Sequence, residues 1–449
     1  MNLLTNQTDF EQAWGTADIT SKQMKTAIAD WYDLYYNQNV PEKENPCQRI
    51  AYTIVRKISK AVFSEYKATS KQEAIKDTLY ALDDVRNEAV QQMLIAGECF
   101  LKPIPEDGKF SFGVVPRQNV MVFGRDPKGY ATDIGSIECT TKGNQYYTLL
   151  ERRTAGENDT LTITYQLYKS GSKDQLGQKV PLATLDRYAD LPEEMVFNNI
   201  PGVGLAQFRA PISNCVDGSH DGVSVYAAAT DLIHDINKNE YQLCNEFENG
   251  QSRIIASSDM VQKDSNGKCK GLDDNLFIGL DEDPDSVGIT IFSPTLREES
   301  YNARKTEYLR NVESVIGLKR GLLSEVEAAE RTATEVTSSE GDYALTIQDF
   351  QTEWEDTIWY LLDLCAKFGV IYKIPMPKEL SDNDLVFDWG NGVLYDPDAD
   401  WAVMMDLVSR GMLMPEIPLG KRYNLPYDTE AQRKKIREMY MPKTQLGDE

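Results

Sequence analysis

Residues 331–369, RTATEVTSSEGDYALTIQDFQTEWEDTIWYLLDLCAKFG, constrain the chain more than any other stretch. The segment contains no proline, and Thr332 followed by Glu335 has the spacing of a capping box, which satisfies free N–H groups at a helix start. Apolar residues recur at Val336, Tyr343, Ile347, Phe350, Trp354, Ile358, Leu361, Cys365 and Phe368. After the first interval of seven, each step is three or four, the period of one helix face. Gly369 is the expected stop. The pattern predicts a helix over 332–369, on the order of 55 Å long at about 1.5 Å per residue. Average globular helices are far shorter. Such a rod suits a large assembly or the central core helix of an ordinary enzyme, and periodicity does not choose between them.

The chain has 449 residues, enough for about two to four domains with real cores. Its 47 basic and 71 acidic residues leave a net charge of −24. This balance argues against a sequence-reading nucleic-acid binder and against docking on anionic membrane. It is compatible with a surface past which DNA moves without sticking, and equally with acidity that serves solubility. No apolar run approaches the roughly 18 residues of a membrane span. The start, MNLLTNQTDFEQAW, lacks the basic and apolar regions of a secretory signal. The seven cysteines are scattered without C-x-x-C spacing, which fits a reducing compartment. The N-x-T matches at Asn6 and Asn158 therefore carry no weight.

In chain order, residues 18–37 predict a helix with Met24, Ile28, Trp31 and Tyr35 on one face. Helices follow over 47–66, with Ile50, Ile54 and Ile58 inward, and over about 71–96. From Gly97 the period becomes two. CFLKPI and SFGVVP flank a turn at Asp107-Gly108, and NVMVFG, DIGSIECTT, YYTLLERRT and TLTITYQLYK continue an antiparallel meander to about residue 210. Strands and helices do not alternate, so a doubly wound nucleotide fold is not expected. Residues 221–250 predict a long helix. A short mixed insert spans 251–296, with a turn at Asn266-Gly267 and an acidic DEDPD loop. Residues 297–316 predict a second helix, carrying Tyr301, Tyr308, Val312 and Val315. GLKRGLLSEVEAAE joins it to the long helix. Beyond Gly369, VIYKIP and DLVFDWG read as a strand pair, Asp396-Pro397-Asp398 opens a helix with Trp401, Met405 and Val408, MPEIPLGKRYNLP is a loop, and a charged helix covers about 428–440.

Groups for chemistry are sparse. The two histidines, His220 and His234, have no nucleophile motif around them; Gly218-Ser219-His220-Asp221-Gly222 lacks G-x-S-x-G spacing and reads as the start of a helix. Asp281, Glu282, Asp283 and Asp285 resemble a calcium loop, but Ser286 and Phe292 stand where glycine and glutamate belong. Asp396, Asp398 and Asp400 fail in the same way, with Trp401 and Leu407 at those places. No zinc set, metal-binding motif or phosphate-cradling loop is complete, so neither a cofactor nor a metal is expected. Glu65-Tyr66-Lys67 is an isolated E-x-K. Glu353 and Asp356 read as a solvated or inter-subunit pair rather than a glycosidase pair. The most distinctive loop is Gly317-Leu318-Lys319-Arg320-Gly321-Leu322-Leu323-Ser324. Gly317 and Gly321 give it freedom, and Lys319 and Arg320 stand out against an acidic chain. An ordinary helix–helix connector has the same composition.

Three motifs, in this order and spacing, resemble bacteriophage portal proteins, in particular the SPP1-like portals of phages with long non-contractile tails. The first is Ala96-Gly97-Glu98-Cys99-Phe100-Leu101-Lys102-Pro103, followed by Asp107-Gly108-Lys109 and Val115-Pro116-Arg117. It is similar to the family's G-E-x-[FY]-[LI]-K-P strand, hairpin and V-P continuation. The second is residues 311–323, NVESVIGLKRGLL, similar to the end of a stem helix and its tunnel loop. The third is Arg331-Thr332-Ala333-Thr334-Glu335-Val336, similar to T-A-T-E-[IV] at the start of the tunnel helix, so that Thr332, Thr334 and Glu335 mark that start.

The resemblance spans nearly the whole chain and implies an α+β portal fold. Residues 1–220 would form the helical and antiparallel β wing, 221–250 and 297–316 the stem helices, and 251–296 the clip. Residues 317–331 would be the tunnel loop, 332–369 the tunnel helix, and 370–449 the wing completion with a short crown. It implies a structural protein without catalysis, a ring typically of twelve subunits at one capsid vertex, and assembly in the bacterial host cytoplasm. The implied partners are double-stranded DNA passing without sequence reading, the terminase large subunit, the head–tail connector, and the major capsid and scaffolding proteins, with no membrane. Lys319 and Arg320 would touch the passing DNA. A kink in the tunnel helix is common in the family, and the sequence does not decide whether Gly341 supplies one here. The residues by themselves leave two other classes open, a minor head protein of the virion and an acidic polymer hydrolase.

Overall fold

The computed structural model describes residues 11, 13–37, 46–172, 175–251, 253–257, 276–279, 289–292, 295–324, 333–381, 384–390, 397–423, 425–427 and 429–440, with backbone alone at 253–257, 276–279, 289–292, 333–341 and 397–400. Two compact units, Met1–Asp388 and Trp389–Glu449, divide the chain.

The first unit opens with α1 (Lys22–Tyr36). Ser21 caps it by accepting from the Met24 N–H, and Asn37 closes it in the left-handed region. Met24, Ile28 and Trp31 are buried as the spacing predicts, with Tyr32 and Leu34 inward rather than Tyr35. In α2 (Ile50–Val62), Ile54 and Ile58 are fully buried. The short strand β1 (Lys67–Thr69), unforeseen from its sequence, leads to α3 (Glu73–Ala96).

Gly97 ends α3 at φ 82, and a Cβ there would lie 2.1 Å from the Val223 nitrogen, so only glycine satisfies both demands. The hairpin of β2 (Glu98–Glu106) and β3 (Lys109–Pro116) turns at Asp107-Gly108, both at positive φ, as the type I′ preference of Asp-Gly requires. A separate antiparallel sheet follows in the order β4 (Val120–Arg125), β5 (Ala131–Lys142), β6 (Gln145–Ala155), β7 (Leu161–Ser170) and β8 (Gln178–Val180). Strand β9 (Glu194–Phe197) also pairs with β7, and β10 (Ala206–Arg209) pairs with the free edge of β2. Phe100, Val120, Val122, Ala131, Ile134, Val203 and Leu205 join the two sheets in one core cluster.

Helix α4 occupies Thr230–Asn249, not the whole of 221–250. Tertiary bonds claim the chain before it: the Ser224 hydroxyl and the Val225 N–H both donate to the Leu94 carbonyl, at 3.1 and 3.0 Å. The insert holds β11 (Arg253–Ser257), β12 (Leu276–Gly279) and β13 (Ile289–Phe292), with β11 parallel to β12 and antiparallel to β13. Its Asn266-Gly267 turn and acidic loop lie outside the described residues. Helix α5 (Glu298–Val315) returns against α4. Lys305 pairs with Glu240 at 3.0 Å, Arg297 with Glu246 at 2.6 Å, and Asn239 donates to the Tyr301 carbonyl at 3.1 Å. Val312 is buried, whereas Val315 faces solvent.

The long helix is α6 (Ala333–Tyr372), 40 residues of continuous helix that runs through Gly341. At about 1.5 Å per residue it is on the order of 60 Å long. Every one of Tyr343, Ile347, Phe350, Trp354, Ile358, Leu361, Cys365 and Phe368 is buried. The Trp354 ring packs edge-on against Phe63 and Phe208, at 5.4 and 5.1 Å between centroids, so α6 docks on the end of α2 and on β10. Gly369 is not the stop. The helix ends at Lys373, φ 58, and the Ile374 N–H bonds back to the Gly369 carbonyl at 2.9 Å. Gly369 is needed because a Cβ would lie 2.8 Å from the Ile374 carbonyl oxygen of that returning chain. VIYKIP is therefore the tail of α6 and its cap, not a strand. Strand β14 (Val386–Asp388) pairs antiparallel with β1 instead.

The second unit contains α7 (Pro397–Ser409), α8 (Glu416–Arg422) and α9 (Glu430–Tyr440). Helix α8 replaces the loop expected at 414–426. Its Pro418 stands in the first turn, where no N–H is required. Glu416 pairs with Arg437 of α9, and Tyr423 stacks on Tyr440 at 4.9 Å. Asp396 lies outside the described residues. The chain is α+β, with helices and mostly antiparallel sheets in separate runs.

Candidate functional site

The loop singled out by its glycines and adjacent cations follows α5 directly. Gly317 takes φ 70 and Gly321 φ 93, so both glycines serve the backbone. A Cβ on Gly317 would come 3.3 Å from Thr346 Oγ1, which places the loop beside α6. Leu318 is buried and its N–H donates to the Glu313 carbonyl at 2.8 Å. The Leu322 N–H bonds to the Lys319 carbonyl at 3.2 Å and closes a turn that Lys319 opens, with Arg320 and Gly321 at its centre. Lys319 is half-buried and Arg320 exposed. After the two cations, Gly321, Leu323 and Ser324 direct their N–H groups at the buried Glu313 carboxylate. Residues 325–332 lie outside the described residues, Thr332 among them. Thr334 and Glu335 fall in the first turn of α6.

A second constellation lies under the Gly97-Glu98 and Val115-Pro116-Arg117 motifs, and residue types alone did not single it out. Glu98 is fully buried. One of its oxygens lies 2.8 Å from Arg117 Nε and 2.6 Å from Arg125 Nη2, and the other accepts from Gln207 at 2.6 Å. Asp221 completes the box, 2.7 Å from Arg125 and 3.4 Å from Arg117. Arg117 also donates to the Val120 carbonyl and to Thr20, and Arg125 to the Gly129 carbonyl. Burial alone would raise the Glu98 carboxyl; Arg125 and then Arg117 outweigh it and hold it below the usual range. The box ties the start of α1, β2, β4 and the chain before α4 together. Asp221 thus belongs to this clamp and not to a helix start. Lys102 of the same motif pairs with Glu151 at 2.7 Å, and Arg153 pairs with Glu151 as well. Burial pushes the Glu151 carboxyl up, and Arg153 and Lys102 overcome it, to about 2. The only sequence signal for these pairs was charged residues at inward positions of strands.

The remaining candidates are structural or open. His234 of α4 pairs with Asp30 of α1 at 2.9 Å. Glu65 precedes β1 and Lys67 lies in it. Glu353 and Asp356 border a cleft of about 750 Å³ whose lining includes Arg209, Gln207 and Tyr360. Burial, then Asp356, raises the Glu353 carboxyl, and Arg209 opposes the rise. Among the described residues no group of three or more His, Cys, Asp or Glu side chains is placed to hold a metal ion, and no helix is long and apolar enough to cross a membrane.

The motifs that carried the resemblance thus form one hairpin with its charged clamp, one helix end with its loop, and the start of the longest helix. No curated protein matches the chain in sequence. The sequence profile of the family described as phage portal protein, SPP1 Gp6-like, matches residues 21–437, nearly the whole length. The chain belongs to this family of portal proteins, structural components of the bacteriophage virion that serve in genome packaging.

Proposed function

We propose that this chain builds the portal vertex of a tailed phage: a ring, typically of twelve subunits, through which double-stranded DNA enters during packaging and leaves at ejection. The family match over residues 21–437 carries the reading. In it, α4 and α5 are the stem helices and line the channel, and the insert at 251–296 is the clip that meets the head–tail connector. Residues 317–331 are the tunnel loop and α6 the tunnel helix. Residues 1–220, with part of 370–449, form the wing that faces the capsid, and the end of the chain forms a short crown. The terminase large subunit docks on the ring, the major capsid and scaffolding proteins surround it, and assembly takes place in the host cytoplasm. The protein acts as a conduit without catalysis.

Physical chemistry supports this use of the fold. A long antiparallel helix pair repeats readily around a ring, because each copy offers one face to each neighbour. Subunits of net charge −24 make a wall with little grip on phosphates. Lys319 and Arg320 then supply brief contacts that follow the backbone and read no bases.

Negative-stain images of the purified protein test the assembly. Discrete rings with a central hole are expected, and a protein that stays monomeric would overturn the proposal. The loop assignment is tested by K319A/R320A. Rings should form normally while packaged DNA falls about tenfold, and normal packaging by that variant refutes the contact.

A further inference from the structure

Six carboxylate side chains are buried among the described residues: Asp18, Glu98, Glu151, Asp221, Glu313 and Glu416. Five of them face a basic side chain: Asp18 pairs with Lys25 at 3.3 Å, and the other four face arginine. Glu98 and Asp221 share Arg117 and Arg125, Glu151 has Arg153, and Glu416 has Arg437. Glu313 is the exception. It is 1% exposed on the last turn of α5, and among the described residues no basic side chain is placed to form an ion pair with it. A helix C-terminus is also the less favourable end for an anion. Among the described residues its compensation comes from one source. Oε1 accepts from the N–H of Gly321 at 3.1 Å, of Leu323, and of Ser324 at 2.9 Å, and Oε2 accepts from the Ser324 hydroxyl at 2.7 Å. All these partners are donors, and all belong to the loop.

We infer that Glu313 is the positioning residue of the Lys319–Arg320 turn. The inference rests on the proposed reading of that turn as the DNA contact. Glu313 grips the loop on both sides of the cations. Its backbone carbonyl takes the Leu318 N–H before them, and its carboxylate takes the Gly321, Leu323 and Ser324 donors after them. Buried Leu318 adds an apolar anchor on the first side. Moving residues 321–324 would strand a buried carboxylate and several backbone donors together, and either alone is costly. Residues 317–324 therefore form a fixed spur. Lys319 and Arg320 meet a passing phosphate from a set position, without first losing the freedom of a floppy loop.

Hydrogen exchange of assembled rings, read by mass spectrometry, tests the anchor, and DNA packaging tests its purpose. In E313A and E313Q, exchange at Leu323 and Ser324 should accelerate about 100-fold, with α4, α5 and α6 as protected as before. In S324A, which removes only the hydroxyl donor, the acceleration should be about tenfold. Packaging should fall with the same ranking. E313A placed on K319A/R320A should cost no further packaging, whereas general destabilisation would add to the loss. Should the Glu313 variants fail to form rings, S324A carries the test. Unchanged loop exchange in the variants overturns the anchor. Released loop amides with wild-type packaging, in a protein whose packaging does depend on Lys319 and Arg320, overturn its positioning role. Normal packaging by K319A/R320A instead refutes the DNA-contact reading, and the exchange data still decide what holds the loop.

Discussion

The buried charge box around Glu98 makes a quantitative prediction. Glu98→Ala removes a carboxylate that lies within 2.8 Å of Arg117, 2.6 Å of Arg125 and 2.6 Å of the Gln207 amide. The two guanidinium groups, with side chains 1% and 7% exposed, are left to share Asp221. Removing one member of a buried pair typically costs about 3–5 kcal/mol. Two cations on one carboxylate put this case near ~4 kcal/mol, a large fraction of the roughly 5–15 kcal/mol of an ordinary fold. Urea denaturation is the assay, with Glu106→Ala, at the exposed end of the same strand, as a control expected within about 0.5 kcal/mol of the parent. The pH profile gives a second, independent reading. The Glu98 carboxyl is depressed in the folded state relative to its ordinary 4.5. Its contribution is therefore present above that value and is lost as pH falls through the lower folded value. Glu98→Gln should flatten that part of the acid profile. A loss below about 1 kcal/mol in E98A, with an unchanged acid profile in E98Q, would refute the assignment of the box as the main clamp of this region.

Gly97→Ala must place a methyl at φ 82 against the Val223 backbone, and should cost on the order of 3 kcal/mol or abolish soluble protein, read by expression and thermal melting. Trp354→Ala empties the contact between α6, Phe63 and Phe208, with an expected loss of about 3–5 kcal/mol in chemical denaturation. Glu151, held at about 2, stabilises the fold above its ordinary value of 4.5 and stops doing so as pH falls through about 2. Glu151→Gln should therefore remove part of the acid-unfolding slope, seen by circular dichroism across that range.

What could be read from residues alone follows from periodicity. The inward face of α6 was legible from Tyr343 to Phe368 because a helix repeats its environment every three or four residues. The Asp107-Gly108 hairpin was legible because few residue pairs accept two positive φ angles in succession. The order of helices, insert, loop and long helix, with its resemblance to the portal family, was also present in the one-dimensional pattern. Long-range contacts decided the rest. Helix α4 starts late because Leu94, far away in sequence, takes the bonds of Ser224 and Val225. The partner of β14 is β1, too short to show a period. Gly369 proved to be a place of close approach and not a stop, because the chain doubles back over it. At the site, Lys319, Arg320 and their glycines stood out by composition. Glu313 did not, since a glutamate near the end of a charged helix looks like any solvated residue. Only the fold turns its carboxylate inward and brings the loop's N–H groups to it, because a buried charge takes its meaning from partners that sequence spacing does not specify.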